Sequence, residues 1–184
     1  MDGLILRPSA EADLAAIQAI YAHHVRSGLG TFEEVAPPIE EIARRRAAVL
    51  DRGLPWLVAE LEGEVAGYAY AAPFRLRAAY RYTVEDSVYV APAALGRGVG
   101  RALLAELVGA CEALGLRQMV AVIGDSGNAA SVAVHRACGF ELLASMPAVG
   151  FKFDRWVDVV WMQRPLNGGG TRPPDAAGLR LEGA

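Results

Sequence analysis

The sequence predicts an α+β domain with a mixed, mostly antiparallel sheet flanked by helices on both faces. Two early strand-like segments are joined by a short turn at Glu62-Gly63, which predicts an antiparallel hairpin. Later, a strand, an amphipathic helix and a second apolar strand follow one another, which predicts a parallel crossover. The full predicted order is β-α-α-β-β-β-α-β-α-β-β, so both kinds of pairing belong to one domain.

Four segments have the apolar spacing and the end signals of helices. In the first, Leu14 and Ile17 follow a start signal at Ser9. Gly53 closes the second helix, and Gly139 is a good C-cap for the fourth. The first predicted helix begins near residue 9. The other three span residues 39–53, 98–114 and 128–138.

Seven segments have the composition and alternation of strands. The continuous apolar run QMVAVI fits a strand that is buried on both faces. The predicted strands span 4–9, 56–61, 64–72, 80–90, 118–123, 140–146 and 156–166. Residues 1–166 thus form the predicted domain. The Gly- and Pro-rich segment 167–184 lacks apolar periodicity and is predicted to be a mobile tail.

Composition argues against several classes of partner. The net charge of -3, with scattered arginines, argues against a nucleic-acid surface. The sequence has no apolar run of about eighteen residues that would predict a membrane span. Its N-terminus has no hydrophobic signal core. We therefore expect a cytoplasmic protein in which Cys111 and Cys138 are buried free thiols.

The glycines Gly96, Gly98 and Gly100 lie between a predicted strand and the long third helix. Bare backbone at a helix N-terminus is typical of a phosphate site. A dinucleotide fingerprint fails because Arg101 takes the place of its third glycine, and a nucleotide P-loop would need a lysine after Gly100. A loop without a ligand is the remaining alternative, at the entropic cost of three glycines.

The stretch VYVAPAALGRGVGRALL resembles the acetyl-CoA pyrophosphate loop of the GNAT N-acetyltransferase superfamily. Gly98 and Gly100 match its two small positions, and Leu95 replaces the usual Gln or Arg. The stretches RAAYRYTVEDSVYV, VAVIGDSGNAASVAVHRACGF and VGFKFDRWVDVVWMQ are similar to the phosphinothricin and methionine sulfone/sulfoximine N-acetyltransferases. The resemblance covers about residues 4–166. It implies a GNAT-type splayed sheet and acetyl-CoA as co-substrate.

The resemblance also implies which residues hold acetyl-CoA. Backbone groups of the strand that ends at Val90 would pair with the amide-rich pantetheine arm, and the glycine turn would hold the pyrophosphate. Asn128 would contact the arm, although it is equally a natural helix N-cap. The implied cofactor residues are Val88, Tyr89, Val90, Gly96, Arg97, Gly98, Val99, Gly100, Arg101 and Asn128.

Glu85 is the candidate general base. Acetyl transfer to an amine needs a group that removes a proton and a donor for the developing oxyanion. A carboxylate in an otherwise apolar strand near a cleft has a raised pKa, and in the family the matching glutamate is the proposed base. Asp86 is its competitor, and because strand residues alternate, only one of the two faces the substrate. The alternative is a solvated glutamate on an edge strand.

His135 follows Asn128 by seven residues, nearly two helical turns, so both project from one face. Many superfamily members have at this position a tyrosine that acts as the acid and protonates the leaving thiolate. The phosphinothricin group has histidine there. We therefore expect His135 to be a proton donor or an electrostatic partner. The alternative is a neutral histidine that holds the helix against the sheet. His23 and His24 lack further ligands at metal spacing, so no metal site is expected.

Arg75 and Arg77 lie on the predicted loop before Glu85. Guanidinium groups bind the carboxylate or second oxyanion of an amino-acid analogue in bidentate fashion. The alternative is a pair of solvated loop arginines. Phe32 and Tyr80 would shape the wall of the acceptor pocket.

The sequence thus predicts an enzyme that acetylates the α-amino group of a small amino-acid analogue. L-Phosphinothricin, methionine sulfone and methionine sulfoximine are the expected acceptors. The alternatives are another small amine, a peptide N-terminus, or a non-catalytic module that binds acetyl-CoA. The family packs two copies so that each helps close the other's acceptor pocket. Together with the apolar strand around Trp156 and Trp161, this predicts a homodimer.

Overall fold

Seven strands form one mixed sheet in the computed structural model, which describes residues 3–181. The strands are β1 (Leu4–Pro8), β2 (Trp56–Leu61), β3 (Glu64–Pro73), β4 (Thr83–Val90), β5 (Gln118–Gly124), β6 (Glu141–Lys152) and β7 (Arg155–Pro165). The helices of the described chain are α1 (Leu14–Ser27), α2 (Ile39–Leu50), α3 (Val99–Ala113) and α4 (Ala129–Ala137). The predicted α+β class and element order are confirmed.

The strand order across the sheet is β1-β2-β3-β4-β5-β7-β6. Only the central pair, β4 and β5, is parallel among the described strands, and the other neighbours are antiparallel. The predicted hairpin turn is confirmed, because Glu62 and Gly63 both have positive φ, at 56° and 83°. This is the backbone twist that two-residue hairpin turns require. The parallel crossover runs through α3, as predicted.

Helices cover both faces of the sheet. On β3, a Cβ at Gly67 would touch Leu103 of α3 at 3.1 Å. The next residue, Tyr68, stacks on Tyr89, whose ring meets Tyr21 of α1 at 5.1 Å. Because successive strand residues point to opposite faces, α3 lies on one face and α1 on the other. Gly67 is therefore a position where a helix approaches the sheet backbone too closely for a side chain.

Several element boundaries differ from prediction, and α2 ends at Leu50, three residues before the predicted end. α1 begins at Leu14 because the carboxylate of Asp13 accepts the Ala10 N–H at 2.7 Å, in a short 3-10 turn before the helix. β4 begins at Thr83 because a 3-10 turn precedes it. β6 continues to Lys152, past the predicted end, because a bulge at Met146–Gly150 absorbs the irregular segment and pairing with β7 resumes.

The segment after β7 packs on the domain. Arg117 is buried and its guanidinium donates to the Gly169 carbonyl at 2.9 Å. Tyr82 donates to the Ala176 carbonyl at 2.9 Å, and Leu179 is buried. Composition alone carried no signal for these contacts. The predicted mobility of this tail stays a prediction, and the last three residues lie outside the described residues.

Among the helices of residues 3–181, none combines the length and the apolar character needed to cross a bilayer.

Candidate active site

β4 and β5 run side by side only at their first residues. The parallel register pairs Thr83 with Gln118 and Glu85 with Val120, and within the described chain it stops there. The strands then diverge and open a cleft of about 490 Å³. Residues of β4, β5, α4 and the N-terminus of α3 line this cleft. The sheet therefore has the splay that the resemblance implied.

The far end of β4 turns backbone groups toward the cleft. The Ala91 N–H donates to the Ala66 carbonyl of β3 at 2.9 Å. In an antiparallel ladder every second residue bonds to the same neighbour, so Tyr89 also directs its N–H and C=O to β3. Val88 and Val90 then direct theirs to the open side. Of the three predicted backbone positions, Val88 and Val90 thus face the cleft.

The glycine turn has a conformation that only glycine adopts easily. Gly96 and Gly98 have φ of 74° and 78°, and Gly98 is the N-cap of α3. A Cβ at Gly100 would meet a valine methyl of β4 at 3.3 Å, so the helix start packs closely on the strand. The first N–H groups of α3, from Val99 onward, lack intrahelical acceptors and carry partial positive charge. This end of the cleft suits a phosphate.

Polar side chains flank the glycine turn. Arg101 lines the cleft. Arg97 donates to Glu62 at 2.5 Å on the surface, in an ion pair that leaves both side chains largely exposed. Asn128 lines the cleft from α4, and its side-chain oxygen accepts the Ser131 N–H at 3.2 Å. The N-cap role considered from sequence is confirmed, and it places Asn128 at the cleft at the same time.

Glu85 lies where β4 and β5 begin to diverge, and it lines the cleft. Burial is the main cause that raises the pKa of its carboxyl group, and the negative charge of Asp86 adds to it. The guanidinium of Arg75 acts in the opposite direction. A half-buried carboxylate with a raised pKa is suited to accept a proton near neutral pH.

Asp86 points away from Glu85 and pairs with His135. Nε2 of His135 is 3.0 Å from Oδ2 of Asp86, and the two side chains are only 6% and 2% exposed. Nδ1 of His135 lies 2.7 Å from the Ser131 carbonyl, which can only accept, so Nδ1 carries a proton. The contact with Asp86 then needs a second proton, on either the histidine or the aspartate.

The pair is therefore neutral overall and holds one shared proton. Burial lowers the pKa of His135, but the hydrogen bond and charge of Asp86 outweigh it, so the pKa is raised overall. The second oxygen of Asp86, Oδ1, is buried without a hydrogen-bond partner among residues 3–181. An unpartnered buried carboxylate oxygen adds to the cost of this arrangement. Sequence reasoning named Asp86 as a competitor of Glu85 but missed this partnership.

The acceptor candidates lie on two loops, and none of the four is among the residues that line the cleft. Arg75 stacks over the Phe74 ring at 4.3 Å and is close enough to affect the pKa of Glu85. Arg77 is exposed and begins a 3-10 turn that ends at Tyr80. Tyr80 meets the Phe74 ring edge-on at 5.7 Å. The structure thus brings three of the four candidates into one loop. The fourth, Phe32, belongs to the loop between α1 and α2.

Two further groups at the cleft were missed from sequence. His24 lines the cleft and donates from Nε2 to the Val90 carbonyl at 2.9 Å, while burial lowers its pKa. Thr31 also lines the cleft, and its hydroxyl lies 3.0 Å from the Tyr21 hydroxyl. The contact of His24 depends on how α1 packs against β4, and that of Thr31 on how the loop after α1 folds back on this helix. In the sequence, His24 is visible only as one of two adjacent histidines, and that pair suggested nothing beyond a metal site, which was not expected.

The cleft has the parts that one kind of cofactor needs. An open strand edge suits an extended, amide-rich arm, and the helix N-terminus suits a pyrophosphate. A half-buried carboxylate beside them suits removal of a proton from an amine. This fold and site define an N-acetyltransferase that uses acetyl-CoA.

Comparison with known proteins identifies the family. Residues 17–140 match the Acetyltransferase (GNAT) family, and the chain belongs to it. It is 56% identical over 170 residues to a phosphinothricin N-acetyltransferase of Alcaligenes faecalis, covering 92% of this chain and 86% of the relative. It is 40% identical over 164 residues to an L-methionine sulfoximine/L-methionine sulfone acetyltransferase of Salmonella typhimurium, covering 89% and 95%.

A solved structure supports the same assignment. The crystal structure of a GNAT superfamily phosphinothricin acetyltransferase from Sinorhizobium meliloti, in complex with AcCoA, superposes with a TM-score of 0.90 at 50% identity. The match covers 93% of this chain and 92% of that one. The GNAT-type fold predicted from sequence is confirmed.

Proposed function

We propose that this enzyme acetylates the α-amino group of L-phosphinothricin, methionine sulfone, methionine sulfoximine or a close analogue. The observation that carries the proposal is Glu85, a half-buried carboxylate of raised pKa at the point where the cleft opens. The relatives named for phosphinothricin and for the two methionine derivatives support this substrate class.

Acetyl-CoA supplies the acetyl group as a thioester. The residues present fit it, because the glycine turn leaves the N–H groups at the start of α3 free of side chains. Val88 and the N–H of Val90 pair with the pantetheine arm, while the carbonyl of Val90 already accepts from His24. A cleft-facing N–H of β4 donates to the thioester oxygen as negative charge develops there.

Glu85 removes a proton from the acceptor ammonium, directly or through one water molecule. Because the pKa of the Glu85 carboxyl is raised, it lies closer to the pKa of the acceptor ammonium. The proton transfer is therefore less unfavourable. Asp86 cannot substitute for it, because its side chain lies on the opposite face of β4 in the pair with His135.

His135 acts through Asp86. Both of its ring nitrogens are engaged, Nδ1 by the Ser131 carbonyl and Nε2 by Asp86. Of the two roles expected from sequence, the electrostatic one fits this geometry better than proton donation to the leaving thiolate. The pair neutralises a carboxylate that would otherwise lie fully charged and buried next to Glu85.

The acceptor's anionic groups bind at the loop that carries Arg75 and Arg77. Arg75 is near enough to Glu85 for its charge to lower the pKa of that carboxyl, so an amine at Glu85 can have its carboxylate at this loop. Phe32 and Tyr80 complete the wall around the acceptor.

A thiol-release assay tests the proposal. Release of CoA is measured with L-phosphinothricin, methionine sulfone, methionine sulfoximine, the ordinary amino acids and a short peptide with a free N-terminus. We expect the three analogues to have the highest kcat/KM. A chain that binds acetyl-CoA in titration calorimetry but releases no thiol with any amine would be a binding module, and preference for the peptide would change the substrate class.

We propose that two copies associate through the exposed apolar surface of β6 and β7. Trp156 is 66% exposed, and Phe151 and Leu143 are also exposed. An edge strand of this length and character is seldom left free in solution. Trp161 is half-buried against Phe74, at 6.1 Å between rings, so the interface would adjoin the acceptor loop. The buried free cysteines Cys111 and Cys138 suit the proposed cytoplasmic location.

A further inference from the structure

Lys152 is the only lysine in a chain that has 18 basic residues, and it is 1% exposed. The other 17 of these basic residues are arginines. A lysine is seldom buried without partners, because desolvation of its ammonium is costly. Burial lowers the pKa of Lys152, and the nearby carboxylates of Glu34 and Glu33 act against this lowering.

The ammonium of Lys152 binds the loop between α1 and α2, residues 28–38. Nζ donates to the Gly28 carbonyl at 2.9 Å and to the Thr31 carbonyl at 2.8 Å. These two bonds tie the loop to the end of β6. The Phe32 ring packs on the same strand, so closely that a Cβ at Gly150 would overlap it.

This loop lies on the same side of β4 as the proposed base. Tyr89 and Glu85 are four residues apart in one strand, so their side chains share a face. The Tyr89 ring meets Tyr21 of α1, whose hydroxyl lies 3.0 Å from that of Thr31. Thr31 itself lines the cleft. The bonds from Lys152 thus hold a loop that lies on the Glu85 face of β4, whereas the glycine turn for acetyl-CoA belongs to α3.

We propose that Lys152 is a positioning residue that holds the 28–38 loop closed against the acceptor, so that Thr31 and Phe32 form one wall of its pocket. This inference rests on the proposed function. It assigns to a buried lysine, outside the catalytic machinery described above, the task of preorganising the acceptor side.

The geometry explains why lysine stands here in a chain that otherwise uses arginine. A compact ammonium has three donors that can reach two carbonyls from one point. A planar guanidinium is larger and directs its five donors in a fixed fork. Lys152 is 1% exposed, so we expect a larger, forked head group at this position to displace the loop.

Steady-state kinetics with methionine sulfone test the proposal. Lys152→Met keeps most of the side-chain volume and loses the donors, whereas Lys152→Arg keeps the charge but offers its donors in a larger, fixed fork. We expect Lys152→Met to lower kcat/KM for the acceptor about 10- to 100-fold, because a displaced wall loosens orientation. The acetyl-CoA dissociation constant should change less than about twofold, and Lys152→Arg should recover only part of the loss. Arg155→Met, at an exposed position on the adjacent strand, should behave as the wild type.

A labelling experiment tests the Lys152 clamp, meaning the two bonds from its ammonium that hold the 28–38 loop on β6, without any catalysis. The native protein is treated with an acylating N-hydroxysuccinimide ester, and modification of the single lysine is followed by peptide mass spectrometry. We expect modification at least on the order of 100-fold slower than in denaturant, because the amine reacts only when the loop opens. Phe32→Ala should accelerate it, since the ring no longer holds the loop on β6.

These measurements separate failure of the clamp from failure of the proposed substrate. If the wild type acetylates none of the three analogues, the proposed function fails, but the labelling rates still report on the loop. The clamp is overturned if native Lys152 is modified as fast as in denaturant. It is equally overturned if Phe32→Ala leaves the labelling rate unchanged, or if a folded Lys152→Met variant retains wild-type acceptor kinetics. Loss of acetyl-CoA affinity in step with acceptor kinetics would also contradict it, because that pattern indicates a general structural role.

Discussion

Replacing Glu85 by glutamine removes the proposed base and keeps the size of the side chain. The amide cannot take a proton, so the rate should fall about 10²- to 10⁴-fold, the usual contribution of general-base catalysis. That range corresponds to about 3–5 kcal/mol of barrier. The environment that raises the pKa of Glu85, mainly burial and then Asp86, is unchanged by the substitution. The loss should therefore report on proton transfer alone.

The pH dependence makes this prediction specific. The deficit of Glu85→Gln should be largest at low pH and should shrink as pH rises toward the pKa of the amine, because free amine needs no base. In the wild type, the acidic limb of kcat/KM should lie above the ordinary pKa of a glutamate, in keeping with the raised pKa. Acetyl-CoA binding, measured by titration calorimetry, should be retained. Glu64→Gln, an exposed position at the start of β3, is the matched control.

Stability provides an independent check on the same group. A carboxyl whose pKa is raised in the folded state stabilises the protein at low pH, and this contribution is lost as pH rises through the folded pKa. At neutral pH, Glu85→Gln should therefore unfold at a higher temperature than the wild type, and the difference should disappear in acid. Two kinetic results would refute the role as a base. One is near-normal turnover at pH 7 with saturating acceptor. The other is a loss that is uniform across pH with acceptor binding abolished.

Three further predictions concern the cofactor, the acceptor and the assembly. Gly98→Val should weaken acetyl-CoA binding more than about tenfold in calorimetry, because a branched residue at a φ of 78° is strained and blocks the phosphate; unchanged affinity in a folded variant would contradict the site. Arg77→Ala should raise the acceptor KM and leave acetyl-CoA affinity alone, as expected for uniform binding; a constant KM for every acceptor would exclude the loop. Light scattering should show a dimer that Trp156→Glu converts to a monomer, and a monomeric wild type would exclude the proposed interface.

Local patterns were enough to predict most of the fold. The alternation in β2 and β3 and the turn at Glu62-Gly63 specify a hairpin regardless of the rest of the chain. The end of β6 could not be predicted in this way, because its continuation depends on pairing with β7 after a bulge. The irregular segment around Pro147 is indistinguishable, in sequence, from the end of a strand.

The candidate site was predictable where it follows local chemistry and not where it follows packing. Glu85 and the glycine turn are visible as a polar interruption and as bare backbone at a helix start. The bond from His24 to Val90 joins residues 66 apart, and the pair of Asp86 and His135 joins residues 49 apart. Such pairs exist only once α1 and α4 have docked on the sheet, so no spacing in the sequence indicates them.

β4 shows why some features of the site can be predicted from local sequence and others depend on packing. A strand has two faces and two edges, and this one uses all four. One face carries Glu85, which lines the cleft, and the other buries Asp86 against α4. One edge pairs with β3 along the whole strand, whereas the other pairs with β5 only as far as Glu85. Alternation in the sequence reveals the faces, since it decides which side chains point together. The edges depend on where the neighbouring strand turns away, which is decided by β5 and the helices packed on it. The residue at which pairing ends is also the proposed base, so the same divergence that leaves the backbone of Val88 unpaired opens the cleft that Glu85 lines.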